Sequence, residues 1–119
     1  MAWTIIVKQK FSSAHYLKDY QGKCEELHGH NYLIVVYITG PKIPKSGMLY
    51  DFRKIKEYLK TILPDHKCLN DIYNFNPTTE NLAKYFYDKI KKRYPVTKVE
   101  IWENENQGSV YEPKAKRKN

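Results

Sequence analysis

Cys24-Glu-Glu-Leu-His28-Gly-His30-Asn-Tyr32-Leu-Ile-Val-Val-Tyr37-Ile38 is the stretch on which the reading of this chain turns. Its second half is rich in β-branched and aromatic residues, which favour a strand. Side chains two apart on a strand project to the same face. His28 and His30 therefore point the same way and can converge on one ion. The opposite parity, Leu33, Val35 and Tyr37, is apolar as well, so this strand is expected to be covered on both faces, one cover being helical.

Working outward, a third imidazole is needed for an open catalytic metal site, and His15 is the donor in reach. It ends the segment Thr4 to Ala14, which reads as the preceding strand over residues 3–15 with Trp3, Ile5 and Val7 on one face. A hairpin with a long polar loop, Tyr16 to Leu27, then sets His15 beside His28 and His30. Three histidines with the fourth position left to water or substrate is a catalytic zinc arrangement; a histidine on an apolar strand is otherwise a packing residue. Cys24, four residues before His28, is open to three readings: a fourth ligand, a buried free thiol, or a nucleophile and base. A nearby dication or Lys23 would favour its thiolate, and Glu25 and Glu26 would oppose it.

Downstream, Gly40 to Gly47 is a loop punctuated by Pro41 and Pro44. Asp51 can then cap a helix on which Phe52, Ile55, Leu59 and Ile62 recur at the helical period, ending at Pro64. Asp65-His66 follows. A carboxylate beside an imidazole suits a proton relay, with a surface dipeptide as the plainer account. Asn76-Pro77-Thr78-Thr79-Glu80 opens a second helix with Leu82, Ala83, Phe86 and Ile90 inward, and Pro95 stops it. Val96 to Glu103 alternates as a strand, and a turn leads back along Ser109-Val110-Tyr111. Glu103 shares parity with Val99 and Ile101, so its carboxylate is either at a fraying strand end or held for a ligand. The order ββααββ gives an α+β domain, an antiparallel sheet with two helices on one face.

At 119 residues the chain reads as one domain over 1–113 with a basic tail, 114–119. So small a domain buries a modest core, and its 11 tyrosines suit wet sites and interfaces, so assembly is expected. A net charge of +8 welcomes a polyanion: nucleic acid, an acidic membrane or a phosphorylated small molecule. Only the tail concentrates that charge, and such an end is more often solvated than a binding arm, so nucleic acid is not the expected partner. Two cysteines make no disulfide framework, and neither a signal peptide nor a membrane-spanning run is present in the sequence. Cytoplasmic residence follows by default.

Six motifs in order, Phe11-Ser-Ser-Ala-His15, Cys24-x-x-x-His28-Gly-His30-Asn-Tyr, Gly47-Met-Leu-Tyr-Asp51-Phe52, Asp65-His66-x-x-Leu69-Asn70, Asn76-Pro-Thr-Thr-Glu80-Asn-Leu, and Glu103 eight residues before Tyr111, resemble the 6-pyruvoyltetrahydropterin synthase family. Within it they are most similar to the 6-carboxy-5,6,7,8-tetrahydropterin synthase branch of queuosine and deazapurine biosynthesis. The resemblance implies a tunnelling fold, in which subunits join their sheets into a barrel, as a homohexamer of two stacked trimers with interfacial active sites. It implies that His15, His28 and His30 bind Zn2+, that Cys24 is the base, that Asp65 and His66 form a relay given by a neighbouring subunit, and that Glu103 anchors the pterin ring. The implied reaction converts 7,8-dihydroneopterin triphosphate to 6-carboxy-5,6,7,8-tetrahydropterin with release of triphosphate and acetaldehyde.

The three residues between Cys24 and His28 match that branch, where the pyruvoyl synthases have a longer insertion. Pro64, Lys67 and Asn104 depart from the family pattern, the last at a position where a threonine contact to the pterin is common. Rival expectations are a 6-pyruvoyltetrahydropterin synthase or dihydroneopterin aldolase-like activity on the same scaffold, and a zinc-stabilised basic nucleic-acid-binding module, which would use Cys24 to close the metal site.

Overall fold

The computed structural model describes residues 2–18 and 25–114. Cys24 and the tail positions 115–119 lie outside the described residues. Two long strands, β1 (Trp3–His15) and β2 (His28–Gly40), form an antiparallel ladder in unbroken register from Trp3 opposite Gly40 to His15 opposite His28. Odd positions of β1 and even positions of β2 therefore share a face. On that face Val7, Phe11, Tyr32, Ile34, Val36 and Ile38 are buried, and Phe11 stacks on its cross-strand partner Tyr32 at 5.0 Å.

Helix α1 (Phe52–Ile62) starts where the Asp51 carboxylate accepts from the Arg53 N–H, and ends where the Leu63 N–H reaches the Leu59 carbonyl before Pro64. Its fully buried residues are Ile55 and Leu59, one turn apart; burying each stabilises the fold by about 1.5–3 kcal/mol. The second long helix, Thr79–Ile90, is capped by the Thr78 hydroxyl on the Asn81 N–H and inserts Leu82, Ala83, Phe86 and Ile90. Between these helices the chain does more than turn. Lys67–Cys68 makes a two-residue strand parallel to β1 at Ser13 and Ala14, and Leu69–Ile72 is a single helical turn. Numbered in chain order these are β3 (Lys67–Cys68), α2 (Leu69–Ile72) and α3 (Thr79–Ile90).

The remaining strands are β4 (Val96–Trp102) and β5 (Gly108–Tyr111). Among the described residues they complete one five-stranded sheet in the order β3-β1-β2-β4-β5. The expected ββααββ frame and α+β class are found, with β3 making the sheet mixed and α2 a third, short helix. Gly108 permits the tight return of β5: a Cβ there would lie 2.5 Å from the Ile101 carbonyl oxygen and 2.9 Å from the Trp102 Cα.

The helices cover one face only. On the other, Lys8, Lys10 and Asn31 are exposed and Leu33 and Tyr37 half-buried, although Val35 is buried. Nothing among the described residues supplies the second cover anticipated for β2. Among the described residues no helix is long and apolar enough to cross a membrane.

Candidate metal centre

The β1–β2 register makes the site. His15 pairs with His28 and Ser13 with His30, so all three imidazoles rise from one end of the sheet on the helix side. Ring centroids are 4.7 Å apart for His15 and His28, 5.1 Å for His15 and His30, and 4.8 Å for His28 and His30. Their available donor atoms lie within 4.8 Å of one another. Small ring rotations bring such a set to the Zn–N distance of about 2.0–2.1 Å.

The tautomers follow from the partners. His15 Nδ1 lies 2.9 Å from the Pro77 carbonyl oxygen, and His28 Nδ1 lies 2.9 Å from that of Glu26. A carbonyl only accepts, so each Nδ1 carries the proton and donates it, and each Nε2 keeps its lone pair for a ligand bond. The Tyr32 hydroxyl, 3.1 Å from His15 Nδ1, shares that buried contact. Burial pulls the His30 pKa below the usual imidazole value; Glu103 opposes this, and His15 and His28 reinforce it. A converging imidazole set of this kind fits a divalent cation of zinc type.

Glu103 stands at the edge of this set, with Oε2 3.7 Å from His30 Nε2. It directly follows β4 and is held by its neighbours: its N–H donates to the Gln107 carbonyl at 3.1 Å, and the Gln107 amide donates to Oε1. Asn104 builds that turn, its side-chain oxygen accepting from the N–H groups of Asn106 and Gln107. The residue that departs from the family pattern is thus a turn-former here.

Although His66 and His30 line one cavity of about 530 Å³, Asp65 and His66 are not among the converging ligand atoms. They lie beyond β1 on the side away from β2, where Asp65 Oδ1 accepts from the Ser12 N–H and Oδ2 is 3.6 Å from His66 Nε2. The His66 side chain is 83% exposed and its φ is +56°, a left-handed conformation costly for a non-glycine residue and one that clusters at functional sites. Cys24, expected beside the metal, lies outside the described residues. Its neighbour Glu25 is tied to Leu17, two residues past His15, by a backbone bond of 3.0 Å and a side-chain bond of 3.1 Å.

Sequence reasoning passed over part of the site. A cavity of about 340 Å³ opens beside His15 and Glu103 and is walled by Thr78, Thr79 and Gln107. The Thr79 hydroxyl is 2.6 Å from that of Ser109 and donates to Glu80. The Glu80 pKa is held below the usual carboxylate value, first by its own N–H and then by the Thr79 hydroxyl. From the residues alone Thr78, Thr79 and Glu80 open a helix and carry no site role; a Thr-Thr-Glu helix start is the signal available for one.

Comparison with known proteins agrees with this geometry. The chain is 34% identical over 110 residues to a dihydroneopterin monophosphate aldolase of Pyrococcus furiosus, spanning 87% of this chain and 92% of that one. It is 32% identical over 98 residues to a 6-carboxy-5,6,7,8-tetrahydropterin synthase of Synechocystis, 76% of each. Among solved structures, the Caenorhabditis elegans 6-pyruvoyl tetrahydropterin synthase superposes with a TM-score of 0.81 at 27% identity, over 96% of this chain and 97% of that one. With the sequence profile of that family matching residues 4–114, the chain belongs to the 6-pyruvoyl tetrahydropterin synthase family.

Proposed function

We propose that this enzyme converts 7,8-dihydroneopterin triphosphate and water to 6-carboxy-5,6,7,8-tetrahydropterin, triphosphate and acetaldehyde, with zinc held by His15, His28 and His30. The observation that carries the reading is the convergence of three imidazoles, two of them oriented by backbone carbonyls, with the Glu103 carboxylate 3.7 Å from the third. Zinc bound there would act as a Lewis acid on the hydroxyls of the substrate side chain. The chain's own residues do the rest. Glu103 accepts two N–H bonds from the guanidine-like edge of the pterin, a charge-assisted pair that fixes the ring, and the cavity lined by Thr78 and Thr79 receives it.

Cys24 serves as the base at the side chain; what supports the reading is that the next residue in sequence, Glu25, is tied to Leu17, two residues past His15. Asp65 and His66 relay protons from a neighbouring subunit in a hexamer of stacked trimers, and the 83% exposure of the His66 side chain supports that division.

A second reading has support of its own, the 34% identity to a dihydroneopterin monophosphate aldolase. A retro-aldol step would cleave the side chain between its first two carbons, releasing the outer two as a phosphorylated glycolaldehyde and leaving a hydroxymethyl pterin. Incubation with dihydroneopterin triphosphate and with the monophosphate, followed by mass analysis, separates the outcomes. Acetaldehyde and a carboxypterin support the proposal, a pyruvoyl pterin without acetaldehyde replaces it with the synthase reaction, and a hydroxymethyl pterin replaces it with the aldolase.

A further inference from the structure

Pairing between β2 and β4 stops at Leu33 opposite Trp102, yet β2 runs on to His28. The β4-side edge of residues 28–32 therefore has no partner strand among the described residues. A gap is left between this edge and the turn that begins at Glu103. A cavity of about 900 Å³ occupies it, touching His30 and Glu103 at one end and Lys8, Lys10, Ser12 and Asn31 on the uncovered face at the other. One histidine of the triad, His30, and the outer face of the sheet thus border one continuous space.

The outer end is built for an anion. Ser12, Lys10 and Lys8 alternate along β1, so their side chains leave on one face, about 6.7 Å apart per step. Opposite them in register stand Asn31, Leu33 and Val35. The Ser12 hydroxyl donates to the Asn31 side-chain oxygen at 2.6 Å, which turns the Asn31 amide nitrogen, a donor only, to other partners. Among the described residues neither lysine has a carboxylate within ion-pairing distance. Glu100, the acid facing them across the cavity, pairs with neither lysine: its two oxygens accept from Tyr37 Oη at 2.6 Å and Trp102 Nε1 at 2.8 Å. Glu105 at the rim is exposed.

We propose that Lys10, Lys8 and the Asn31 amide bind the phosphate chain of the substrate, which passes from the metal triad through the gap beside β2 onto the outer face. The inference rests on the pterin phosphate reading above and adds its specificity determinant. Lys10, next to Ser12, meets the phosphate nearest the pterin; Lys8, one step further, is reached only by a longer chain. The site therefore favours a triphosphate over a monophosphate.

The test uses inorganic tripolyphosphate and the whole protein. Calorimetry should show that it binds the wild type and that Lys8→Ala/Lys10→Ala weakens it about tenfold or more, the scale of losing charge-assisted hydrogen bonds. Lys60→Ala, an exposed lysine on α1, should change it less than about twofold, as a distant surface charge does. The double variant should raise KM for dihydroneopterin triphosphate by a similar factor and leave binding of dephosphorylated dihydroneopterin unchanged, and Lys8→Ala alone should raise it for the triphosphate and not for the monophosphate. No binding by the wild type, equal loss in Lys60→Ala, or equal effects on phosphorylated and dephosphorylated pterins would overturn the site. Tripolyphosphate binding that follows the lysines without any pterin turnover would sink the functional reading and leave the anion site standing; turnover indifferent to the lysines would do the reverse.

Discussion

His15 and His28 face each other across the last rung of the β1–β2 ladder, rings 4.7 Å apart, each with its Nδ1 tethered 2.9 Å from a backbone carbonyl. Because the tethers come from Pro77 and Glu26, segments outside the ladder, the two rings are aimed before any ion arrives. Removing one donor should therefore cost the metal without costing the fold. His28 is exposed whereas His15 is 2% exposed, so His28→Ala is the cleaner experiment. Its zinc content should drop to a small fraction of the wild type with an unchanged circular dichroism spectrum; full zinc stoichiometry would remove His28 from the site.

Tyr32 tests the support behind the ligand. Its ring packs on Phe11, and its hydroxyl reaches His15 Nδ1. Tyr32→Phe keeps the stacked ring and deletes only the hydroxyl. Groups of this kind typically cost about 10–100-fold in metal affinity when removed; with Pro77 still holding His15, the lower end is expected. Competition against a zinc chelator measures it, and an unchanged affinity would mean that the Pro77 carbonyl orients the ring alone.

The parts of this site legible in the sequence are those fixed by strand parity. His28 and His30 are two apart, His15 ends a strand of matching alternation, and Glu103 continues the parity of Val99 and Ile101. Asp51 was legible as a cap, and Thr78 or Thr79 as alternatives for the second, because side chains do the capping; Thr78 is the one that caps. What was not legible depends on backbone groups and on contacts distant in sequence. Pro77 and Glu26 act through carbonyls, which leave no side-chain signature. β3 exists because the His66 N–H reaches the Ser12 carbonyl and the Ser13 hydroxyl donates to Pro64, and no periodicity in Lys67–Cys68 announces that. The gap beside β2 arises from where β4 stops, a register property invisible before the strands are paired.

Stability should respond to acid through His30. Burial holds its pKa below the usual 6.5, so the folded metal-free chain takes up that proton less readily than the unfolded chain. The stability from keeping this ring neutral is complete above about pH 6.5 and is lost as pH falls, because the unfolded state binds the proton first. The Tm of metal-free protein should be level above about pH 7 and decline toward pH 5, and His30→Gln should flatten part of that decline. An identical decline in the variant would assign the effect to another group.

Glu103→Gln separates anchoring from metal binding. The amide keeps the size and the Gln107 contact but loses the charge that accepts two N–H bonds. Pterin affinity should fall about 10–100-fold, the worth of a charge-assisted pair, while zinc content stays at the wild-type level. Fluorescence titration with a dihydropterin, alongside metal analysis, reads both. Loss of zinc in this variant would instead make Glu103 a support for His30, 3.7 Å away.

The exposure of Asp65 and His66 leads to the most demanding prediction. Within one subunit they stand on the far side of β1 from β2, which favours the proposed relay from a neighbour. Cys24→Ala should retain zinc and lose turnover, and His66→Ala should also be inactive while folding normally, since its side chain is 83% exposed. Mixed and reassembled, the two inactive variants should regain activity, because some sites then take the thiol from one subunit and the imidazole from another. For random mixing that fraction is about a quarter of sites in a closed symmetric oligomer. If thiol and imidazole belonged to the same subunit, no mixture would contain a complete site, and activity would stay at the level of the single variants.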